Sequence, residues 1–168
     1  EEGNVIGGLD TLSLGRNQFI TYSINQGNES QGEIYLIEGN KSPERITDNN
    51  VSDNHPVLVD NNGELELYWL SENNISVYNL DSKNESVIVE DANAIRGFKV
   101  DVTNENGMIY WEDTRGLVTT ISGSILEVTT GNWSKAVTLV NGYNGRLVGS
   151  TGYIEKDGTM NFVYTTAP

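Results

Sequence analysis

The one histidine of the chain, His55, is the first place to look for acid–base chemistry. It stands in "VSDNHPVLVD", close behind Ser52 and Asp53. Those are the residue types of a serine-type triad, but a triad is a geometry across a fold, and sequence neighbours do not supply it. A histidine directly before Pro56 reads as a turn-flanking residue. A second place is "YWEDTR", where Glu112 and Asp113 follow a run of apolar residues and Arg115 comes shortly after. Two carboxylates about 5 to 10 Å apart on opposite sides of a sugar could cleave a glycosidic bond. Adjacency in sequence does not give that separation, and 24 acidic residues make chance pairs easy. Neither set is read as catalytic, and no catalytic residue is assigned.

Oxygen ligands offer a third chemistry. "DNNVSD" (48–53) carries Asp and Asn as the start of a calcium loop does. The EF-hand loop then requires Gly at its sixth position and Glu at its twelfth. Here those positions hold Asp53 and Val59, so that motif fails and calcium remains only as a different oxygen cage. The chain has no cysteine, which excludes thiolate zinc sites, thiol nucleophiles and disulfides. Phosphate-cradling glycine loops and zinc-protease motifs are absent. No other cofactor is expected.

Among the tryptophans, Trp133 is the one least explained by packing. Trp133, in "GNWSK", and Tyr143, in "NGYNG", are candidate ligand contacts, since an exposed ring can stack on a sugar. Asparagine is frequent, and six sites read as N-glycosylation acceptors: Asn28, Asn40, Asn50, Asn74, Asn84 and Asn132. About three would arise by chance at this composition. The excess points to surface loops outside the cell; Asn-rich turn chemistry is the competing explanation.

The net charge is -14, with 10 basic and 24 acidic residues. That balance argues against nucleic acid and against anionic membrane surfaces as partners. No apolar run approaches the length of a membrane helix, so no membrane insertion is expected.

The elements that must position these residues are strands. Nowhere does a 3.6-residue apolar period persist. Short alternating runs recur instead: "EIYLIEG", "ELELYWL", "ISVYNL", "ESVIVE", "KAVTLV", "MNFVYT", each bounded by Asn, Gly, Asp or Ser. They group into a single all-β repeat domain over 1–168, in four repeats at about 9–48, 55–90, 98–140 and 146–166. The last repeat has two strands. "NVIGG" (4–8) could lend it a third. Repeats of four antiparallel strands every 42 to 53 residues are the mark of β-propeller blades. A β-sandwich is the alternative.

A turn glycine precedes an aromatic by an even offset in three repeats: Gly63 to Trp69, Gly107 to Trp111, Gly158 to Tyr164. Even offsets put each aromatic on the same face relative to its turn, a face expected to be buried. Trp69 and Trp111 are therefore read as packing residues. The offset from Gly15 to Tyr22 is odd, which an extra turn residue would explain.

The stretch "EIYLIEGNKSPERITDNNVSDNHPVLVDNNGELELYWL" (33–70) resembles the TolB-like propeller repeat. The shared features are the strand "IYL", the "RIT" ending of the next strand, an Asp/Asn loop, a Pro before the next strand and a turn with Gly. It is also similar to blades of archaeal and bacterial cell-surface proteins. The match is loose over 75–112 and fades after about 115, and "RIT" occurs once. The resemblance implies an extracytoplasmic location, whether extracellular, cell-surface or periplasmic, with protein-binding or scaffold roles. With three and a half repeats, the expected partners are the remaining blades of a parent protein or a second copy of this chain, besides a protein or glycan ligand. Three functions follow: a non-catalytic propeller segment, a glycan-binding module, or the non-catalytic part of a propeller carbohydrate-active enzyme.

Overall fold

The structure, a computed structural model, describes residues 5–25, 31–94, 97–103, 106–113, 119–127, 130–143, 146–155 and 159–167. Fifteen strands and no helix occur among them. No helix long and apolar enough to cross a membrane is present among the described residues. The chain divides into two compact units, 1–87 and 88–168.

The first unit holds two four-stranded antiparallel meanders. Sheet 1 is β1 (Val5–Leu14), β2 (Asn17–Asn25), β3 (Gly32–Glu38) and β4 (Glu44–Arg45), in that order. Sheet 2 is β5 (Asp53–Asn61), β6 (Glu64–Ser71), β7 (Asn74–Asn79) and β8 (Asn84–Val89), again in sequence order. This is the up-and-down order of a propeller-type blade. "NVIGG" is not a separate strand for the last repeat. Residues from Val5 onward begin β1 and pair with β2, Ile6 opposite Ile24, through a bulge between Ile6 and Gly8.

Turn chemistry sets the registers. The link from β5 to β6 is a two-residue hairpin in which Asn62 and Gly63 both have positive φ, 58° and 87°. Such a turn matches the right-handed twist of the strands and favours Asn-Gly. Asp60 Oδ1 accepts a hydrogen bond from the Gly63 N–H at 2.7 Å, closing the turn.

The two sheets share an apolar core. Phe19, Ile34 and Leu36 of sheet 1 cluster with Leu58, Leu65, Leu67 and Trp69 of sheet 2. Trp69 is wholly buried, as its even offset from Gly63 implies. In sheet 1 the matching residue is Phe19, four after Gly15, not Tyr22. Residues 19, 21 and 23 of β2 face the core, and no extra turn residue is needed. Tyr22 lies on the opposite face, stacked on Tyr35 at 5.5 Å. Leu9, its partner on β1, is exposed. Both faces of β6 are buried, whereas β8 is an outer strand with exposed Val87.

The second unit repeats the pattern with an insertion. β9 (Phe98–Thr103), β10 (Asn106–Asp113) and β11 (Thr119–Glu127) form a meander. The edge of β11 is then shared: β12 (Asn132–Trp133) pairs its last residues and β13 (Val137–Tyr143) its first ones. Met108, Tyr110 and Ile121 form the core, with Leu139, Val140 and Phe162 against them. β14 (Arg146–Ile154) and β15 (Met160–Ala167) make a two-stranded sheet. Trp111 is buried as expected, whereas Tyr164 is 40% exposed. β15 belongs to a sheet of only two strands, so the face carrying Tyr164 is incompletely covered.

Candidate functional site

The buried polar groups of the first unit form a framework. Glu33, at the start of β3, is held by two residues of the "RIT" element. Arg45 Nη2 lies 2.9 Å from its Oε1, and the Thr47 hydroxyl donates to its Oε2 at 2.6 Å. Thr47 Oγ1 in turn accepts from the Ile34 N–H at 2.9 Å. Ile46, between them, packs against the apolar core. Asp53, at the start of β5, is fully buried. Its Oδ1 accepts from Trp69 Nε1 at 3.1 Å and its Oδ2 from Asn49 Nδ2 at 2.8 Å. Burial raises the carboxyl pKa of Asp53, and the hydrogen bonds oppose that rise without cancelling it. These carboxylates tie β3, the β4–β5 connection, β5 and β6 together.

His55 is inside β5, at a bulge between Asn54 and Val57, and not beside a turn. Its φ is 52°, in the left-handed region that a side chain with a Cβ adopts at a cost. A Cβ on Gly8 of β1 would stand 3.2 Å from His55 Cα and 3.0 Å from Pro56 Cδ, so the bulges of β1 and β5 meet where glycine lets the backbones approach. Burial lowers the imidazole pKa. Both oxygens of Asp53 are engaged elsewhere, and no Asp–His–Ser relay forms among Ser52, Asp53 and His55.

Glu112 and Asp113 close β10 and are both buried. Successive strand residues point to opposite faces, so this pair cannot flank one glycosidic bond. Arg115 lies outside the described residues. In 48–53 the oxygen groups bind one another and the chain: Asp48 pairs with Arg45 at 2.9 Å, and Asn49 Oδ1 accepts from the Val51 N–H. No group of three metal-ligating side chains occurs among the described residues.

Trp133 is half-exposed on β12, opposite Leu126. The tip of its ring would be 3.2 Å from a Cβ on Gly107, so part of the indole packs over that glycine. Tyr143 ends β13, and its side chain lies outside the described residues. Of the sequon asparagines, Asn40, Asn50, Asn84 and Asn132 are exposed and Asn74 is half-buried. Asn28 lies outside the described residues.

A concavity falls elsewhere, at one end of the first unit. It encloses 310 Å³. Leu14, Phe19, Leu36, Leu65 and Leu80 form its apolar floor, and Glu38, Lys41, Glu44, Asp81 and Lys83 its rim. In a meander every second turn lies at the same end. Two sheets packed in register therefore bring together the turns β1–β2, β3–β4, β5–β6 and β7–β8. The motifs locate each turn separately. What they lack is the pairing of the two sheets, which makes four turns into one cleft.

No protein-family model and no curated protein matches the sequence. A solved structure does match in fold. It is an alpha-L-arabinofuranosidase from Lactobacillus brevis. The TM-score is 0.59 at 12% sequence identity, over 93% of this chain. The chain spans 63% of that enzyme's length. At this identity the likeness is one of β-strand architecture, and no residue role passes with it.

Proposed function

We propose that this chain is a non-catalytic, propeller-type segment of an extracytoplasmic or cell-surface protein, and that it recognises a protein partner through the cleft of its first unit. The observation that carries the reading is the cleft: an apolar floor under a charged rim, built on rigid strands and open to solvent. The buried carboxylates Glu33 and Asp53 support it, because both are occupied in holding strands together. The TolB-like resemblance of 33–70 supports the location. Exposed aliphatic side chains at Ile6 and Leu9 of β1 and Val163 of β15 suit association with the remaining blades of a parent protein or with a second copy.

The second reading is a carbohydrate-active one, as a glycan-binding module or the non-catalytic part of a glycosidase. The arabinofuranosidase likeness favours it. Trp133 is the ring it would use.

A displayed-peptide selection on the chain, counter-screened with Ser42→Trp, tests the first reading. Ser42 is exposed and lines the cleft, so the new indole fills the cleft without touching the core. Enriched peptides should lose binding to the variant. Turnover of an aryl arabinofuranoside above that of denatured protein, or enrichment indifferent to Ser42→Trp, would contradict it.

A further inference from the structure

The charges on the cleft rim are not balanced. Lys41 is taken by Glu38, with Nζ 2.6 Å from Oε2. Lys83 sits over the Tyr78 ring, 5.7 Å from its centroid, and keeps its charge, so the carboxylates of Glu38, Glu44 and Asp81 exceed the two lysines by one. Glu44, on β4 of sheet 1, and Asp81, in the β7–β8 turn of sheet 2, have no ion-pair partner among the described residues. Two carboxylates from different sheets thus border an apolar floor, in a chain of net charge -14. A field of that sign concentrates cations and repels anions. Phe19, Leu36 and Leu65 are buried to 8%, 5% and 6% exposure, so the floor presents mainly the half-buried aliphatic side chains of Leu14 and Leu80, not an open aromatic face for a sugar.

We infer that the cleft takes an extended basic peptide segment: one large apolar side chain enters the floor, and lysine or arginine flanking it meets Glu44 and Asp81. This rests on the reading that the cleft is the recognition surface, and adds the chemistry of the partner. The floor supplies affinity by excluding water from the anchor. The two carboxylates supply selection, because an acidic or neutral flank leaves them without a counter-charge.

The test uses the full chain and three fluorescein-labelled hexapeptides, read by fluorescence anisotropy. Each has a central leucine–phenylalanine pair, flanked by lysines, glutamines or glutamates. The lysine peptide should bind tightest and the glutamate peptide not at all. Affinity for the lysine peptide should fall about tenfold in Glu44→Gln/Asp81→Asn, as for two partly exposed ion pairs. It should disappear in Ser42→Trp, which leaves the net charge unchanged. If the glutamine peptide binds as tightly as the lysine peptide and loses binding only in Ser42→Trp, the cleft binds peptides but charge does not select them; the inference fails and the reading beneath it stands. If the lysine peptide binds Ser42→Trp as well as wild type, its attraction is to the chain's overall charge, and both fail. If no peptide binds, both fail. Circular dichroism of each variant, matching wild type, assigns any loss to the cleft.

Discussion

The bond between Trp69 and Asp53 makes the sharpest stability prediction. Trp69 is wholly buried, and its indole N–H donates to Asp53 Oδ1 at 3.1 Å. Trp69→Phe removes that donor and part of the ring, while the surrounding leucines of two sheets limit collapse. The lost apolar contact and residual space cost about 1 to 2 kcal/mol for a change of this size. Removing one donor from a buried carboxylate adds about 1.5 to 3 kcal/mol, the range for hydrogen bonds to charged groups. Trp111 in the second unit is a control. It is also buried, but its Nε1 has no hydrogen-bond partner among the described residues. Trp111→Phe should therefore cost only the packing part. A double-mutant cycle isolates the bond: Trp69→Phe is measured in wild type and in Asp53→Ala by urea denaturation followed with far-ultraviolet circular dichroism. The substitution should be about 2 kcal/mol less harmful in the Asp53→Ala background. A coupling below about 0.5 kcal/mol would refute the claim that this carboxylate is a framework acceptor.

Three further outcomes follow from named groups. Burial lowers the His55 pKa, so this residue's contribution is complete above its unfolded value of about 6.5 and is lost as pH falls below it toward the folded value. His55→Asn, whose side chain tolerates the 52° φ, should gain on wild type in melting temperature between pH 8 and pH 5; parallel curves would contradict this. A Cβ on Gly32 would lie 2.7 Å from the Asp53 carbonyl oxygen, so Gly32→Ala should destabilise by about 1 to 3 kcal/mol in a thermal melt, and a neutral result would show that β3 and β5 can separate freely there. Melting in calcium and in chelator should coincide, since the oxygen groups of 48–53 are tied to Arg45, Val51 and Trp69; a rise of several degrees in calcium would reveal a cage.

Much of the fold could be read from turn chemistry and alternation. Asn62–Gly63 marks a hairpin because only such residues accept two positive φ angles in succession, and the even offset to Trp69 then follows from strand pleating. The same logic misses sheet 1, where Tyr22 looks like the equivalent of Trp69. A smaller ring, Phe19, holds the core position, and the more conspicuous Tyr22 stacks on Tyr35 on the other face. The bulges are also hidden. Nothing in "NVIGG" or "DNHPV" announces that β1 and β5 each carry one, or that His55 sits inside a strand. The roles of Arg45 and Thr47 are invisible locally, because their shared partner Glu33 is a strand away. The cleft was the least legible feature, since its lining comes from turns far apart in sequence whose meeting depends on sheet packing.

The measurement that bears most directly on recognition at the cleft is a nitrogen-15 amide spectrum of the chain, recorded during titration with the lysine-flanked peptide. Shifts should cluster at Ser42, Gly63, Asp81 and Lys83, with the amides of His55, Glu112 and Trp133 unmoved. Shifts centred on Glu112, Asp113 or Trp133, with the cleft amides still, would contradict it.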